Sequence, residues 1–287
     1  MQDTLIILNP AARSERAGEV WERIRQLVNL DGAKLEVTAA PGDARALAEW
    51  ALQKGYRIVV AAGGDGTINE VVNGMAGSDA ALGILPVGTM NVFAAELGLP
   101  SQLEKAWQVI RDRHVRRIDL VRANRHYFVQ LGGVGLDAQV VQATSWNLKK
   151  NFGPLSYLIS AAQIAARKPP RLMIASDEST GEGSFVLIGN GRYYGGPIAF
   201  FKEARIDDGL LDVLVFKNLG YLDIARYLGG IFTGTHTDLT DVEYFQTRKV
   251  HVSSADEVPV EVDGEVVTRL PVTFRISSRK LKVLVPA

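Results

Sequence analysis

Residues 61–75 read AAGGDGTINEVVNGM, directly after the apolar, largely β-branched run RIVV. The glycines fall where that run ends and a stretch with helical spacing begins. A buried strand passing straight into a helix is half of a βαβ unit, and such units build parallel sheets. This one junction therefore constrains the fold more than any other stretch.

The pattern repeats through residues 1–122. TLIILN, KLEVTAA, RIVVAA and ALGILP read as strands. SERAGEVWERIRQLVNL, PGDARALAEWALQKG and LEKAWQVIRDR read as helices between or after them. Ser14 and Asp43 are expected N-caps, and Gly55 is expected to stop the second helix. Beyond Arg122 the texture changes to short alternating runs: HYFVQL, RLMIAS, SFVLIGN, LLDVLVFK, KVHVSS, VPVEV, VTFRIS and KLKVLV. Such runs with turn signals between them predict an antiparallel sandwich or barrel. Two helical segments, GPLSYLISAAQIAARK and GYLDIARYLGGIF, interrupt them.

The expected fold class is thus α/β. An N-terminal α/β domain with a parallel sheet covers residues 1–122, and a C-terminal antiparallel β-sandwich domain covers 123–287. The last ten or so residues are left free to pack back on the first domain. A ligand site between the two halves is the default expectation.

The chain has 287 residues, 47% hydrophobic and 22% charged, which suits a large globular core. Its formal net charge is +0, so no global field draws it to nucleic acid, and no nucleic-acid partner is expected. With no cysteine, thiolate chemistry and disulfides are excluded. The N-terminal apolar run lacks a basic segment before it and is too short for a signal peptide. No stretch reaches the ~20 apolar residues of a spanning helix. The expectation is a soluble, cytoplasmic protein, with peripheral contact at the inner membrane face left open. His114, His126, His236 and His251 are scattered without metal spacing.

Gly63 and Gly64 stand at the carboxyl end of a parallel strand, where ligands of such sheets collect. Lacking Cβ atoms, they let backbone N–H groups approach an anion. Thr67 is positioned to cap the next helix, whose N-terminus favours a phosphate. Asp65 is repulsive there unless Mg2+ bridges it to phosphate oxygens. The alternative is a tight turn with a helix cap. GILPVGTMNVFAAELG repeats the arrangement at the next strand end, with Gly88 and Thr89 in the turn and Asn91 opening the helix. Together the two turns outline a two-sided phosphate cradle. GVGLDA mimics a dinucleotide fingerprint, but no acid follows between residues 138 and 176 to bind a ribose.

GGDGTINEVVNG, GILPVGTMNVFA, RIDDGLLDV and VEVDGE, in that order, resemble the diacylglycerol kinase catalytic family, and more narrowly its bacterial lipid kinase branch. The resemblance extends over essentially the whole chain. GGDGT alone is shared with NAD kinases and phosphofructokinases, whereas four ordered motifs are specific. The resemblance implies an ATP- and Mg2+-dependent kinase acting on a hydroxyl of a diacylglycerol-like lipid. It implies that Gly63, Gly64, Asp65, Gly66, Thr67, Ile68 and Asn69 hold the nucleotide phosphates, joined by Asn9, Thr38 and Thr89. It also implies a structural Mg2+ on the Asp208 side chain and the carbonyls of Arg205 and Leu210. Two departures occur: Asn91-Val92 replaces the family's frequent Asn-Asp, and NPAARSE lacks its small Ser-Gly. A sphingoid-base kinase, an NAD kinase and a non-catalytic lipid or nucleotide sensor are the rival readings. A homodimer is left open.

Read alone, VPVEVDGEVVTRL is a hairpin, since Asp-Gly between alternating strands is the strongest short-range turn signal. The family places its general base in this Asp-Gly-Glu. Asp263 and Glu265 are therefore expected to act as a pair, one taking the hydroxyl proton and the other orienting it or water-linked Mg2+. Asp119 in RRIDL is a weaker candidate, with a solvated turn carboxylate as the alternative. Residues 138–176 carry Lys149, Lys150, Arg167, Lys168 and Arg171 among Trp146, Phe152 and Tyr157, with no acid. That segment either faces a membrane or the lipid pocket, or simply packs a helix on the sandwich.

Overall fold

A computed structural model of the chain describes residues 1–11, 17–136, 138 and 169–287. The expected N-cap Ser14, the helix over GPLSYLISAAQIAARK and most of the basic segment lie outside the described residues. The chain divides into two compact units, Met1–Leu120 with Ser278–Ala287, and Val121–Ser277.

The first unit carries β1 (Thr4–Leu8), α1 (Ala17–Asp31), β2 (Lys34–Val37), α2 (Asp43–Gln53), β3 (Ile58–Gly63) and α3 (Asp65–Met75). It continues with β4 (Ala81–Pro86), α4 (Val92–Glu96), α5 (Leu103–Asp112) and β5 (Val115–Ile118). Its sheet takes an interior strand from the far end of the chain. β18 (Leu281–Leu284) lies parallel to β4 and antiparallel to β5, giving the order β2-β1-β3-β4-β18-β5. KLKVLV, read with the strands of the β-rich half, therefore belongs to this sheet, the position that the allowance for the last ten or so residues left open. Leu281, Val283 and Leu284 are all buried, as an interior strand covered on both faces requires. Ile6, Leu8, Val60, Ala62 and Leu85 from the sheet pack with Ile24, Val28, Trp107 and Ile110 from α1 and α5. Each Val, Leu or Ile among them contributes about 1.5–3 kcal/mol on full burial.

Asp43 is the first residue of α2 rather than its cap. The helix begins after Gly42, and the Asp43 carboxylate reaches back to the N–H groups of Ala39 and Ala40 (both 2.8 Å). Glu70 of α3 takes the N–H groups of Gly42 (2.9 Å) and Ala44 (3.1 Å) in its place. Gly55 follows α2 with φ +82°, as its stop role needs. Asp119 is buried, not solvated, and pairs with Lys280 at 3.0 Å. That pair joins the last residues of the outgoing chain to the first residues of the returning one.

The second unit has two six-stranded antiparallel sheets. The first contains β6 (Val121–Ala123), β7 (His126–Phe128), β9 (Leu172–Ser176), β10 (Thr180–Gly183), β14 (Lys249–Ser253) and β17 (Val272–Ile276), in the order β10-β9-β14-β17-β6-β7. The second contains β8 (Leu131–Val134), β11 (Phe185–Gly189), β12 (Leu211–Phe216), β13 (Val242–Thr247), β15 (Pro259–Val262) and β16 (Glu265–Arg269), in the order β13-β12-β11-β8-β15-β16. Alternate side chains of both sheets, among them Ile174, Val252 and Phe274 against Ile188, Val213 and Val260, form the sandwich core. The outer face of β11 and β12 is covered as well: Leu187, Leu214 and Phe216 pack with Phe201, Ala204 and Tyr227. Tyr227 belongs to α6 (Tyr221–Thr233). The segment GVGLDA starts within β8, a strand of an antiparallel sheet, so it is not the turn of a parallel dinucleotide-binding βαβ unit.

Candidate active site

In the first unit, the carboxyl ends of four neighbouring parallel strands bring the expected nucleotide residues together. Asn9 follows β1 and donates from Nδ2 to Thr67 Oγ1 (2.9 Å), while its Oδ1 receives the Ala11 N–H (3.0 Å). Thr38 follows β2 and its N–H donates to the Leu8 carbonyl (2.9 Å). Gly63 ends β3 and Gly64 precedes α3. Thr67 is not the cap; it lies inside the first turn of α3, and no side chain caps that helix. The N-cap residue Gly64 supplies no side-chain bond to the first N–H groups of α3, the arrangement that an anion site at a helix start uses.

The two glycine turns touch. A Cβ on Gly88 would lie 2.3 Å from the Gly64 Cα, and one on Gly63 would lie 2.5 Å from Thr67 Oγ1. Asn91, in the left-handed region with φ 50°, braces the second turn: its Oδ1 accepts the Gly88 N–H (3.0 Å) and its Nδ2 donates to the Gly88 carbonyl (2.8 Å). Asp65 Oδ1 accepts the Phe93 N–H (3.2 Å) and so caps α4 from the neighbouring turn. Thr89 is exposed at the rim. Asn69 is buried and accepts from Asn73 Nδ2 (3.0 Å). Ile68 is buried, and its N–H bonds the Gly64 carbonyl (3.0 Å), so its contribution is packing.

In the second unit, Asp263 and Gly264 join β15 to β16 with φ of 48° and 86°, the two positive values a type I′ hairpin requires. The two acids then part company. The Asp263 carboxylate accepts three backbone N–H groups, from Val129 (3.1 Å), Gln130 (3.0 Å) and Leu131 (3.0 Å). Asn190, fully buried, holds the same segment from its other side by donating to the Val129 carbonyl (2.8 Å). Glu265 is exposed at the start of β16. A third acid, Glu261, is fully buried and accepts the Gly264 N–H (2.8 Å). Sequence reasoning missed it, because a Glu between two valines in a strand reads as solvent-facing.

The segment RIDDGLLD forms a tight turn before β12. The Asp208 N–H donates to the Arg205 carbonyl (3.4 Å), the Leu210 N–H donates to Asp208 Oδ1 (2.9 Å), and Gly209 has φ 81°. One carboxylate and two carbonyl oxygens in such a turn suit a hard cation. Among the described residues no three His, Cys, Asp or Glu side chains converge on a metal position, so carbonyl oxygens are needed to complete any such set. Beneath the turn, Asp212 is fully buried and accepts on Oδ1 from Tyr244 Oη and from Gln246 Nε2 (3.1 Å). Burial pushes its carboxyl up to about 6; the bonds from Tyr244 and Gln246 oppose this, and the charges of Asp208 and Glu203 add to it.

Two family models match the chain. The diacylglycerol kinase catalytic domain matches residues 3–123, and the YegS C-terminal NAD kinase beta sandwich-like domain matches residues 132–285. A diacylglycerol kinase of Staphylococcus haemolyticus is 33% identical over 98% of this chain and 87% of its own length. The chain belongs to the diacylglycerol kinase family. A second member, from Staphylococcus epidermidis, is 31% identical over 98% of this chain and 91% of its own. Two crystal structures from Bacillus anthracis share the fold of this kinase. One has a TM-score of 0.86 at 25% identity, covering 99% of this chain and 95% of the other. The second, a diacylglycerol kinase, has a TM-score of 0.81 at 24% identity, covering 99% and 97%. The kinase is therefore a lipid kinase built from a parallel-sheet α/β unit and an antiparallel β-rich unit. No helix among its described residues is long and apolar enough to cross a membrane. Arg171, the described member of the basic segment, is engaged by Glu182 (2.8 and 2.6 Å).

Proposed function

We propose that this lipid kinase transfers the γ-phosphate of ATP to a hydroxyl of a diacylglycerol-like lipid. The observation that carries the reading is the pair of touching glycine turns, whose backbone leaves no room for a side chain where phosphates would lie. Phosphoryl transfer asks chiefly for positioning and charge neutralisation. The N–H groups at the start of α3, with Asn9, Thr38 and Thr89, bind and orient the phosphates. The acceptor oxygen forms a bond to the γ-phosphorus as the bond to the β–γ bridging oxygen breaks, and the hydroxyl proton passes to Glu265. Asp263, committed to three N–H groups, holds the hairpin that presents Glu265. Mg2+, when bound, supplies neutralisation of phosphate charge, for which Asp65 offers Oδ2, and the Arg205, Asp208 and Leu210 oxygens offer a separate structural position.

The test is labelled ATP and Mg2+ with diacylglycerol, a sphingoid base and NAD as acceptors, using wild type and Glu265→Gln. Diacylglycerol is the expected acceptor. Glu265→Gln is expected to lose 10²–10⁴-fold in turnover, roughly 3–5.5 kcal/mol, while nucleotide affinity holds. Transfer to NAD alone, or wild-type turnover in the variant, would overturn the assignment.

A further inference from the structure

The Asp212 carboxylate has a surplus that its neighbours do not resolve. It projects from β12 onto the outer face of the sheet, between Gln246 and Gly189 in the register. That face is closed over by Phe201 and Ala204 of the segment leading into the RIDDGLLD turn. The residue is fully buried. Oδ1 collects both donors, Tyr244 Oη and Gln246 Nε2, whereas Oδ2 is buried with no protein partner among the described residues. Asp208 and Glu203, both acidic, are close enough to act on it. A buried carboxylate oxygen without a donor costs several times an ordinary hydrogen bond. Protonation does not resolve it, since a hydroxyl on Oδ2 would be a buried donor with no acceptor. A cation, or a water held by one, satisfies Oδ2 and offsets the two neighbouring acids together.

We infer that Asp212 is the buried anchor of a divalent cation held at the 205–210 turn, taking it or its bound water on Oδ2 while Tyr244 and Gln246 fix the carboxylate from the other side. The inference rests on the cation position named under the proposed function and adds residues from β12 and β13 to it. Tyr244 is then a positioning residue. It donates to the anchor. The sheet under the turn and the turn itself become one binding unit, with the cation as the piece that completes it.

Mn2+, which replaces Mg2+ at oxygen sites and is visible by paramagnetic resonance, is the probe. The full-length wild type, Asp212→Asn, Tyr244→Phe and Asp208→Asn are titrated with MnCl2, and their thermal midpoints are followed with and without MgCl2. Asp212→Asn is expected to weaken Mn2+ 10–100-fold, the usual loss on removing a supporting carboxylate, and to abolish the MgCl2-dependent rise in midpoint. Tyr244→Phe leaves the carboxylate in place and is expected to weaken Mn2+ several-fold; it decides the matter if Asp212→Asn fails to fold. Wild-type Mn2+ affinity in a folded Asp212→Asn, or in Tyr244→Phe, overturns the inference, as does a wild type that binds no Mn2+. Lipid phosphorylation alongside Asp212-independent Mn2+ binding sinks this inference alone. Asp212-dependent Mn2+ binding without phosphorylation of any lipid sinks the kinase reading alone.

Discussion

Gly88 has no freedom to change. A methyl group there would meet the Gly64 Cα at 2.3 Å, and the obstacle is backbone on both sides, so no side-chain rotation relieves it. Gly88→Ala is expected to separate the two turns, costing about 1–3 kcal/mol as overpacking does. Nucleotide affinity should fall with it, which calorimetry with a non-hydrolysable ATP analogue and a urea midpoint together measure. Unchanged affinity at unchanged stability would mean that the two turns do not hold the nucleotide. These glycines are legible in the sequence because a strand–helix junction leaves few other reasons for Gly-Gly-Asp-Gly. The division of labour between Asp263 and Glu265 is not. It depends on the backbone of residues 129–131, more than 130 positions away, which no local pattern reports. Asp119 is misread for the same kind of reason, since its Lys280 partner arrives from the end of the chain.

At the scale of elements, α6 is fastened to the start of β13 by one carboxylate. Asp241 receives Arg226 Nη1 (2.7 Å), Tyr227 Oη (2.6 Å) and Asn218 Nδ2 (2.8 Å). The Arg226 guanidinium, before the other donors, holds its carboxyl well below the usual range. A depressed carboxyl stabilises the fold above its unfolded value near 4, and that contribution drains away as pH falls below it. Asp241→Asn is expected to cost about 1–2 kcal/mol at pH 7 and to flatten the loss of stability between pH 4 and pH 2, as read from urea midpoints. An unaltered acid limb would mean that other carboxylates govern it. The elements themselves are legible wherever both faces or one clean face is apolar, as in β3, β4 and β12. The strands left unread include β10 and β13, both sheet edges. Edge strands carry polar residues that keep them from pairing further, and the same residues erase the alternation a reader depends on. Likewise the cap of α2 comes from Glu70, in another helix, while the nearby Asp43 points the other way.

For the molecule as a whole, the decisive feature is that the first unit is made of two separate lengths of chain. β18 lies between β4 and β5, so it is structural rather than a tail, and Lys282 adds a bond to the Asp79 side chain (3.1 Å). Ending the chain after Ser277 is expected to expose the facing edges of β4 and β5 and to destabilise the first unit selectively. Limited proteolysis with mass spectrometry should then find early cuts within residues 1–120, while fragments of residues 121–277 persist. Equal protection of both would show that the strand is dispensable. The fold class itself is plain from the change of texture at Arg122, but the ownership of KLKVLV is not. Alternation of apolar residues is the same whether a strand is destined for a sandwich or for the middle of a parallel sheet.

That returning strand also sets a timetable. On a ribosome, where a domain normally closes as soon as it emerges, the first unit must wait with an open groove in its sheet until the β-rich unit between its two lengths of chain has been translated. The β-rich half, encoded in the interval, is free to finish first. Of the two units, the one that is interrupted in the chain is thus the second to be completed.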